Sequence, residues 1–177
     1  MMVRVGSPFS IRPANTDDVA GILACLGAAF EPYRAEYTPA AFADTVLDPE
    51  TVRQRLLAMS ILVAVDDAGT VVGTIGYRLM DDGTRGHVRG MAVRPDRKGS
   101  GLAAALMDSV ESELRRQHCT RMTLNSVAPL QRAIAFYERR GFRRTGQVRD
   151  FFGMPLFEFA MPLRPSDSKN GPDRDNT

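Results

Sequence analysis

The chain has 177 residues, of which 44% are hydrophobic and 25% charged. That is one domain at the usual ~100–200 residues, large enough to bury roughly 68–70% of its unfolded surface without a metal or disulfide staple. Such a composition excludes disorder of the whole chain. Lys+Arg 23 against Asp+Glu 21 leaves a formal net charge of +2, too small to argue for a nucleic-acid or membrane partner.

The first nine residues are expected to be loose, and Met1 to Pro13 shows no apolar signal core. Ser10 to Arg12 reads as a short strand ended by Pro13. Asn15-Thr16-Asp17-Asp18 supplies a cap and first-turn acids for a helix bearing Val19, Ile22, Leu23, Leu26 and Phe30 at helical spacing. Its apolar stretch, Ala20 to Phe30, is shorter than the ~20 residues a bilayer demands. Thr38-Pro39 and Asp48-Pro49 each pair a cap with a first-turn proline, which predicts two further short helices. Three strands follow: Ile61 to Val65, Val71 to Met80 and His87 to Val93. Turns around Gly69 and Gly83 separate them, so the three form an antiparallel meander.

After Gly99-Ser100-Gly101 the period becomes helical. Leu102, Ala103, Leu106, Met107, Val110 and Leu114 share one face, with Glu113 inside the apolar arc and Asp108, Glu111 and Arg115 opposite. Cys119 to Val127 reads as a strand and Pro129 to Arg140 as a helix stopped by Gly141. Phe142 to Arg149 and Leu156 to Met161 read as closing strands. Arg164 to Thr177 has no aliphatic or aromatic residue and is expected to be a disordered polar tail. The expectation is a single α+β domain over residues 10–163, a mixed, mostly antiparallel sheet flanked by helices. Cys25 and Cys119 lack CxxC or metal-ligand spacing and read as reduced, buried thiols of a cytoplasmic protein. His118 beside Cys119 makes no metal site.

The segment that carries chemistry is Met91 to Ala104, MAVRPDRKGSGLAA. A strand enters a loop in which Gly99 and Gly101 let the backbone approach a ligand closely, and the loop opens a helix whose first N–H groups lack internal partners. That arrangement suits a diphosphate. A P-loop is excluded, because Lys98 precedes Gly99 instead of following a glycine. Gly99, Gly101 and Ala104 satisfy G-x-G-x-x-A, but five residues separate the strand from Gly99 and the next strand ends Leu124-Asn125 without an acid. A dinucleotide-binding domain is therefore the weaker alternative.

The same residues resemble the coenzyme-A loop of the GNAT superfamily of N-acetyltransferases. Lys98-Gly99-Ser100-Gly101-Leu102-Ala103, after Ala92-Val93-Arg94-Pro95, fits Gln/Arg-x-x-Gly-x-Gly/Ala, with Lys98 in place of the usual Gln or Arg. Asn125, Ala133-Ile134-Ala135-Phe136-Tyr137-Glu138 and Gly141-Phe142 look like the family's later motif, in the right order.

The resemblance implies a GNAT-like sheet with helices on both faces. It also implies acetyl transfer from acetyl-CoA to a primary amine by direct attack, with no metal. Met91, Ala92, Val93, Lys98, Gly99, Ser100, Gly101, Leu102, Ala103 and Asn125 would hold the co-substrate. Tyr137 would serve as acid toward the departing thiolate. Glu31 or His87 is the candidate base. The acceptor, a small molecule or a peptide, is expected between Phe30–Asp48 and the hairpin at Phe151-Phe152-Gly153-Met154. Tyr33, Tyr37, Phe42 and Phe151 would form its mouth, and Glu31, Glu36 and Asp44 would attract a cationic amine. Arg139, Arg140, Arg143 and Arg144 read as a solvated face, with contact to an acidic partner or the coenzyme's ribose phosphate as the alternative. Family habit implies a homodimer. A noncatalytic acyl-CoA sensor on the same fold is the alternative function.

Overall fold

Caps and prolines set the helix starts of the first third. In the computed structural model, which describes residues 8–165, the Asn15 side chain accepts the Asp17 amide and the Asp18 carboxylate accepts the Asn15 amide, both at 2.8 Å. Arg12 clamps Asp18 with two 2.8 Å bonds. A 3-10 turn, Thr16–Asp18, then leads into α1 (Val19–Phe30). Thr38 caps α2 (Pro39–Val46) and Asp48 caps α3 (Pro49–Ala58), each with proline in the first turn. Residues 1–7 and 166–177, which include most of the expected tail, lie outside the described residues.

Seven strands form one sheet: β1 (Phe9–Pro13), β2 (Ser60–Asp66), β3 (Val71–Met80), β4 (Arg85–Val93), β5 (Arg121–Val127), β6 (Arg143–Phe151) and β7 (Met154–Pro162). Their order is β1-β2-β3-β4-β5-β7-β6. Only β4 and β5 run parallel, and α4 (Leu102–Arg116) makes the crossover between them; α5 (Gln131–Arg139) joins β5 to β6. β1 starts inside the segment expected to be loose, because Phe9 pairs with Asp66 and packs against the main core.

Side-chain alternation sends the sheet's two faces to two sets of helices. Leu106, Val110 and Leu114 of α4 are fully buried with Ile75, Met122 and Phe159, and Ile134 of α5 joins them. On the other face Ile22 and Leu26 of α1 and Val52 of α3 pack with Val63 and Ala92. Each such aliphatic side chain contributes about 1.5–3 kcal/mol by leaving water. Cys25 and Cys119 are both buried free thiols. Among the described residues no helix is long and apolar enough to cross a membrane.

One expectation about α4 is corrected. Glu111, assigned to the outer side, is 8% exposed and is held by Arg140 from the end of α5. Glu113, inside the predicted apolar arc and so expected to reach out at the helix end or find a partner, does so by pairing with Arg116 at 2.9 Å. A wheel drawn for one helix cannot register the neighbour that covers it, and a buried carboxylate is tolerated only when paired. Of the arginine run, Arg139, Arg143 and Arg144 are exposed as expected, and Arg140 is the one drawn in, against Glu111. Arg143 donates to the carbonyls of Glu138 and Phe142 at 2.8 Å, and Arg144 stacks 4.2 Å over Phe157.

Candidate active site

The sheet opens in the middle. β4 pairs with β5 from Arg85↔Arg121 to Val88↔Leu124 and no further, while β4 stays on β3 as far as Val93↔Gly73 and β5 stays on β7. The two central strands therefore part after Val88 and Leu124. At the parting β4 carries a bulge, with Gly90 and Met91 opposite Ile75 and Gly90 at φ 68°. The Arg94 amide turns to β3, bonding the Val72 carbonyl at 2.9 Å. Strand alternation then aims the amides of Met91 and Val93 into the gap. The gap is part of a cleft of about 680 Å³, the size of a small-molecule site.

The glycine loop closes one end. Gly99 and Gly101 have φ of 78° and 80°, and a Cβ built at either meets nothing within 4 Å. Glycine is required there by backbone conformation and not by crowding. The Lys98 and Ser100 amides are engaged with the Pro95 and Arg97 carbonyls at 3.3 Å, and the Ala105 amide bonds Gly101 at 3.0 Å. The amides of Gly99, Gly101, Leu102, Ala103 and Ala104 have no protein acceptor among the described residues, and all five residues line the cleft. Open amides at the positive end of α4 fit a diphosphate.

Lys98 also lines the cleft, as does Arg97, whose guanidinium is held by Asp66 at 2.8 Å. Ser100 and Ala92 do not. The Ser100 hydroxyl braces the loop by donating to the Arg97 carbonyl at 2.6 Å, and Ala92 is buried against α1.

Tyr137 and Asn125 face the same cleft. The Tyr137 ring is wedged edge-on between Phe136 and Phe142, and its hydroxyl points at the Met91 sulfur, 3.9 Å away. Burial pushes its pKa up to about 12, so the hydroxyl keeps its proton at neutral pH.

The other end of the cleft lies on an open sheet face. Register places Arg78 beside His87, His87 beside Thr123, and Asn125 beside Glu158. The Thr123 hydroxyl accepts from Arg85 at 3.0 Å and meets His87 Nδ1 at 2.8 Å. Burial first, then Arg85, Arg78 and Arg89, push the His87 pKa down to about 4. Glu31 is not brought to the cleft. It is exposed, chelated by Arg34 at 2.8–3.1 Å, and held below the usual carboxylate range by that contact.

Tyr33, Tyr37 and Phe151 line the mouth as expected, because the Thr38 hydroxyl ties the tip of the β6–β7 hairpin to the start of α2 at 2.7 Å. Phe42 is buried beneath Arg34. Of the three acids expected to attract a cation, only Asp44 lines the cleft.

The sequence model of the Acetyltransferase (GNAT) family matches residues 24–142, more than half of the chain. The chain belongs to the GNAT acetyltransferase family. A mycothiol acetyltransferase of Propionibacterium freudenreichii is 37% identical over 84 residues, 46% of this chain and 27% of that protein. The uncharacterized protein YdhI of Bacillus subtilis is 32% identical over 80 residues, 45% of this chain and 48% of that protein. The matches thus span about half or less of these relatives' own length.

Solved structures agree on the fold. The PaiA N-acetyltransferase of Thermoplasma acidophilum in complex with coenzyme A has a TM-score of 0.72 at 14% identity, covering 87% of this chain and 98% of that one. The ribosomal-protein-S18-alanine N-acetyltransferase of Escherichia coli has a TM-score of 0.68 at 19% identity, covering 91% and 97%.

In this GNAT domain the cleft residues that escape a reading of the sequence include Arg55, Arg89 and Glu158. Glu158 sits between Phe157 and Phe159, which mark a strand with one wet face, and nothing local shows that the wet face is a cleft. Arg55 looks like any outer-face helical arginine until α3 is laid on the sheet beside Gly90. Arg89 alternates with His87 on β4, and that period was the one available signal.

Proposed function

We propose that this GNAT domain transfers the acetyl group of acetyl-CoA to a primary amine by direct attack in a ternary complex. One observation carries the reading: the sheet splits at the β4 bulge, and the split leads to five unpartnered amides at the start of α4. A diphosphate on those amides would lay its pantetheine arm along the free edge of β4. The coenzyme-A complex of a structural neighbour supports the same assignment.

Bound there, acetyl-CoA supplies the thioester carbon that the amine attacks and the thiol that leaves. The chain's own groups serve that exchange. The Met91 and Val93 amides face the gap where an oxyanion needs donors. Tyr137 donates a hydrogen bond to the departing thiolate. Full proton transfer from a phenol at about 12 to a thiolate near 8.5 would be roughly 5 kcal/mol uphill, so Tyr137 stabilises the thiolate without giving up its proton.

For the base, His87 is neutral at pH 7 but weak, its pKa pushed down to about 4. Its Nδ1 is taken by Thr123. Glu31 is tied to Arg34 outside the cleft. Glu158 is the better group, a half-buried carboxylate lining the cleft with one oxygen on Thr145 at 3.0 Å, able to take the amine's proton through water. The arginines around it lower the pKa of an incoming ammonium and so make that proton easier to remove.

Acetyl-CoA at 100 times its dissociation constant should stabilise the protein by about 2.7 kcal/mol and raise Tm by roughly 5–10 °C. Thiol release should then depend on added amine. A Tm response to NAD but not to acetyl-CoA overturns the reading. Acetyl-CoA binding without amine-dependent thiol release would favour a sensor.

A further inference from the structure

The formal charge of the whole chain is +2, yet the cleft is lined by nine arginine or lysine side chains and two carboxylates, Asp44 and Glu158. Four of the cations, Arg97, Lys98, Arg132 and Arg139, belong to the glycine loop and α5, where phosphates are expected. The other five are on α3 and the open sheet face, away from that loop. Within that group Arg85 is already committed to Asp81 at 2.6 Å and Thr123 at 3.0 Å. Arg78 and Arg149 are exposed, and Arg55 and Arg89 are the two beside the bulge.

The Arg55 guanidinium lies across the bulge: its Nη1 is 3.6 Å from where a Cβ on Gly90 would be. It forms no hydrogen bond or ion pair among the described residues. Arg89, one residue before the bulge on β4, has a single carboxylate contact, Asp44 at 3.4 Å. Burial, with Arg89 close by, pulls the Arg55 pKa down to about 10, and Asp44 only partly offsets this. Two guanidiniums thus lie near one acid, which Arg89 alone of the two contacts, beside the bulge where β4 leaves β5. Charge placed this way is unfavourable in the ligand-free protein and is relieved by an anion. A planar guanidinium offers a carboxylate two parallel donors.

We infer that the acceptor is an amine that also bears a carboxylate, and that Arg55 and Arg89 together take that carboxylate and hold the amine at the opening of the strands. The inference rests on the acetyl-transfer reading above and narrows it. It replaces the cationic acceptor expected from Glu31, Glu36 and Asp44, of which Asp44 alone reaches the cleft and is already in contact with Arg89. A polyamine would meet five cations here and only Asp44 and Glu158 as counter-charges.

The test compares kcat/KM for amino acids and short peptides with a free carboxylate against the same compounds as amides, with spermidine as the cationic control. The free-carboxylate forms should be favoured by about tenfold or more, the factor carried by one charge-assisted contact. Arg55→Gln and Arg89→Gln should each erase most of that preference while the Kd for acetyl-CoA stays unchanged. Arg55→Lys should restore part of it. Equal or better use of the amides or of spermidine overturns the inference and leaves acetyl transfer standing, as does a preference that survives Arg55→Gln.

If no panel member is acetylated, succinate binding to the coenzyme-A-bound protein decides by calorimetry. Saturable binding weakened about tenfold by Arg55→Gln supports the inference, and no binding at millimolar succinate overturns it. Loss of acetyl-CoA binding by the wild-type protein would instead strike the acetyl-transfer reading.

Discussion

At the loop end of the cleft the working groups are main-chain amides at Gly99, Gly101 and the first turn of α4, whereas at the opposite end they are side chains brought from α3, β3, β4, β6 and β7. The first end depends on backbone conformation and is indifferent to most side chains. The second has no backbone signature and is defined by which charges meet. On the acetyl-transfer reading, one end would grip a group common to every turnover, and the other would choose what is turned over. Tyr137 stands between them, on α5, with its hydroxyl at Met91 of the bulge.

The strongest challenge to this division is at that junction. Tyr137→Phe keeps the ring and removes only the donor, so kcat should fall about 10²-fold or more, as for loss of one hydrogen-bond donor to developing negative charge, with the Kd for acetyl-CoA unchanged. A parallel loss of binding would move Tyr137 from the chemistry to the grip.

Next in size is Gly101→Val. A β-branched residue at φ 80° is strained, and each amide it misaligns would lose a charge-assisted bond to a bound diphosphate. The Kd for acetyl-CoA, read by calorimetry, should rise about a hundredfold while far-ultraviolet dichroism is retained.

On the side-chain end, His87 sets a pH signature. Its folded pKa of about 4 lies below the unfolded ~6.5, so the unfolded chain binds more protons between those values. The stability this gives is fully present above pH 6.5 and is lost as pH falls toward 4, amounting to roughly 3 kcal/mol. Urea unfolding of His87→Gln should show a flatter pH profile over that window; an unchanged slope would mean that His87 is already solvated and charged.

The smallest effect is the most diagnostic of a backbone grip. Lys98→Ala should weaken acetyl-CoA less than about fivefold, as for an exposed charge. A loss above tenfold would show that the loop end also works through a side chain.

Most of the fold was legible beforehand because its signals are local. Thr38-Pro39 and Asp48-Pro49 start α2 and α3, the periods of Ile61–Val65 and Val71–Met80 mark strands, and Gly141 ends α5, all within a residue or two of the structure. The glycine loop that lines the cleft was legible for the same reason: Gly99 and Gly101 are two residues apart in one segment. The α4 face was read less well, since Glu111 is dry only because Arg140 covers it.

By itself the sequence determined the order of elements, the two apolar helix faces and the position of the glycine turn, because each follows from the conformational limits of neighbouring residues. Only the tertiary structure decided where β4 and β5 part, which carboxylate faces the cleft, and that Arg55 meets Arg89 across Gly90. Those residues are 34 and 35 positions from Arg55 in the chain. Charge acts through space, so its effect appears only after folding has fixed the distances.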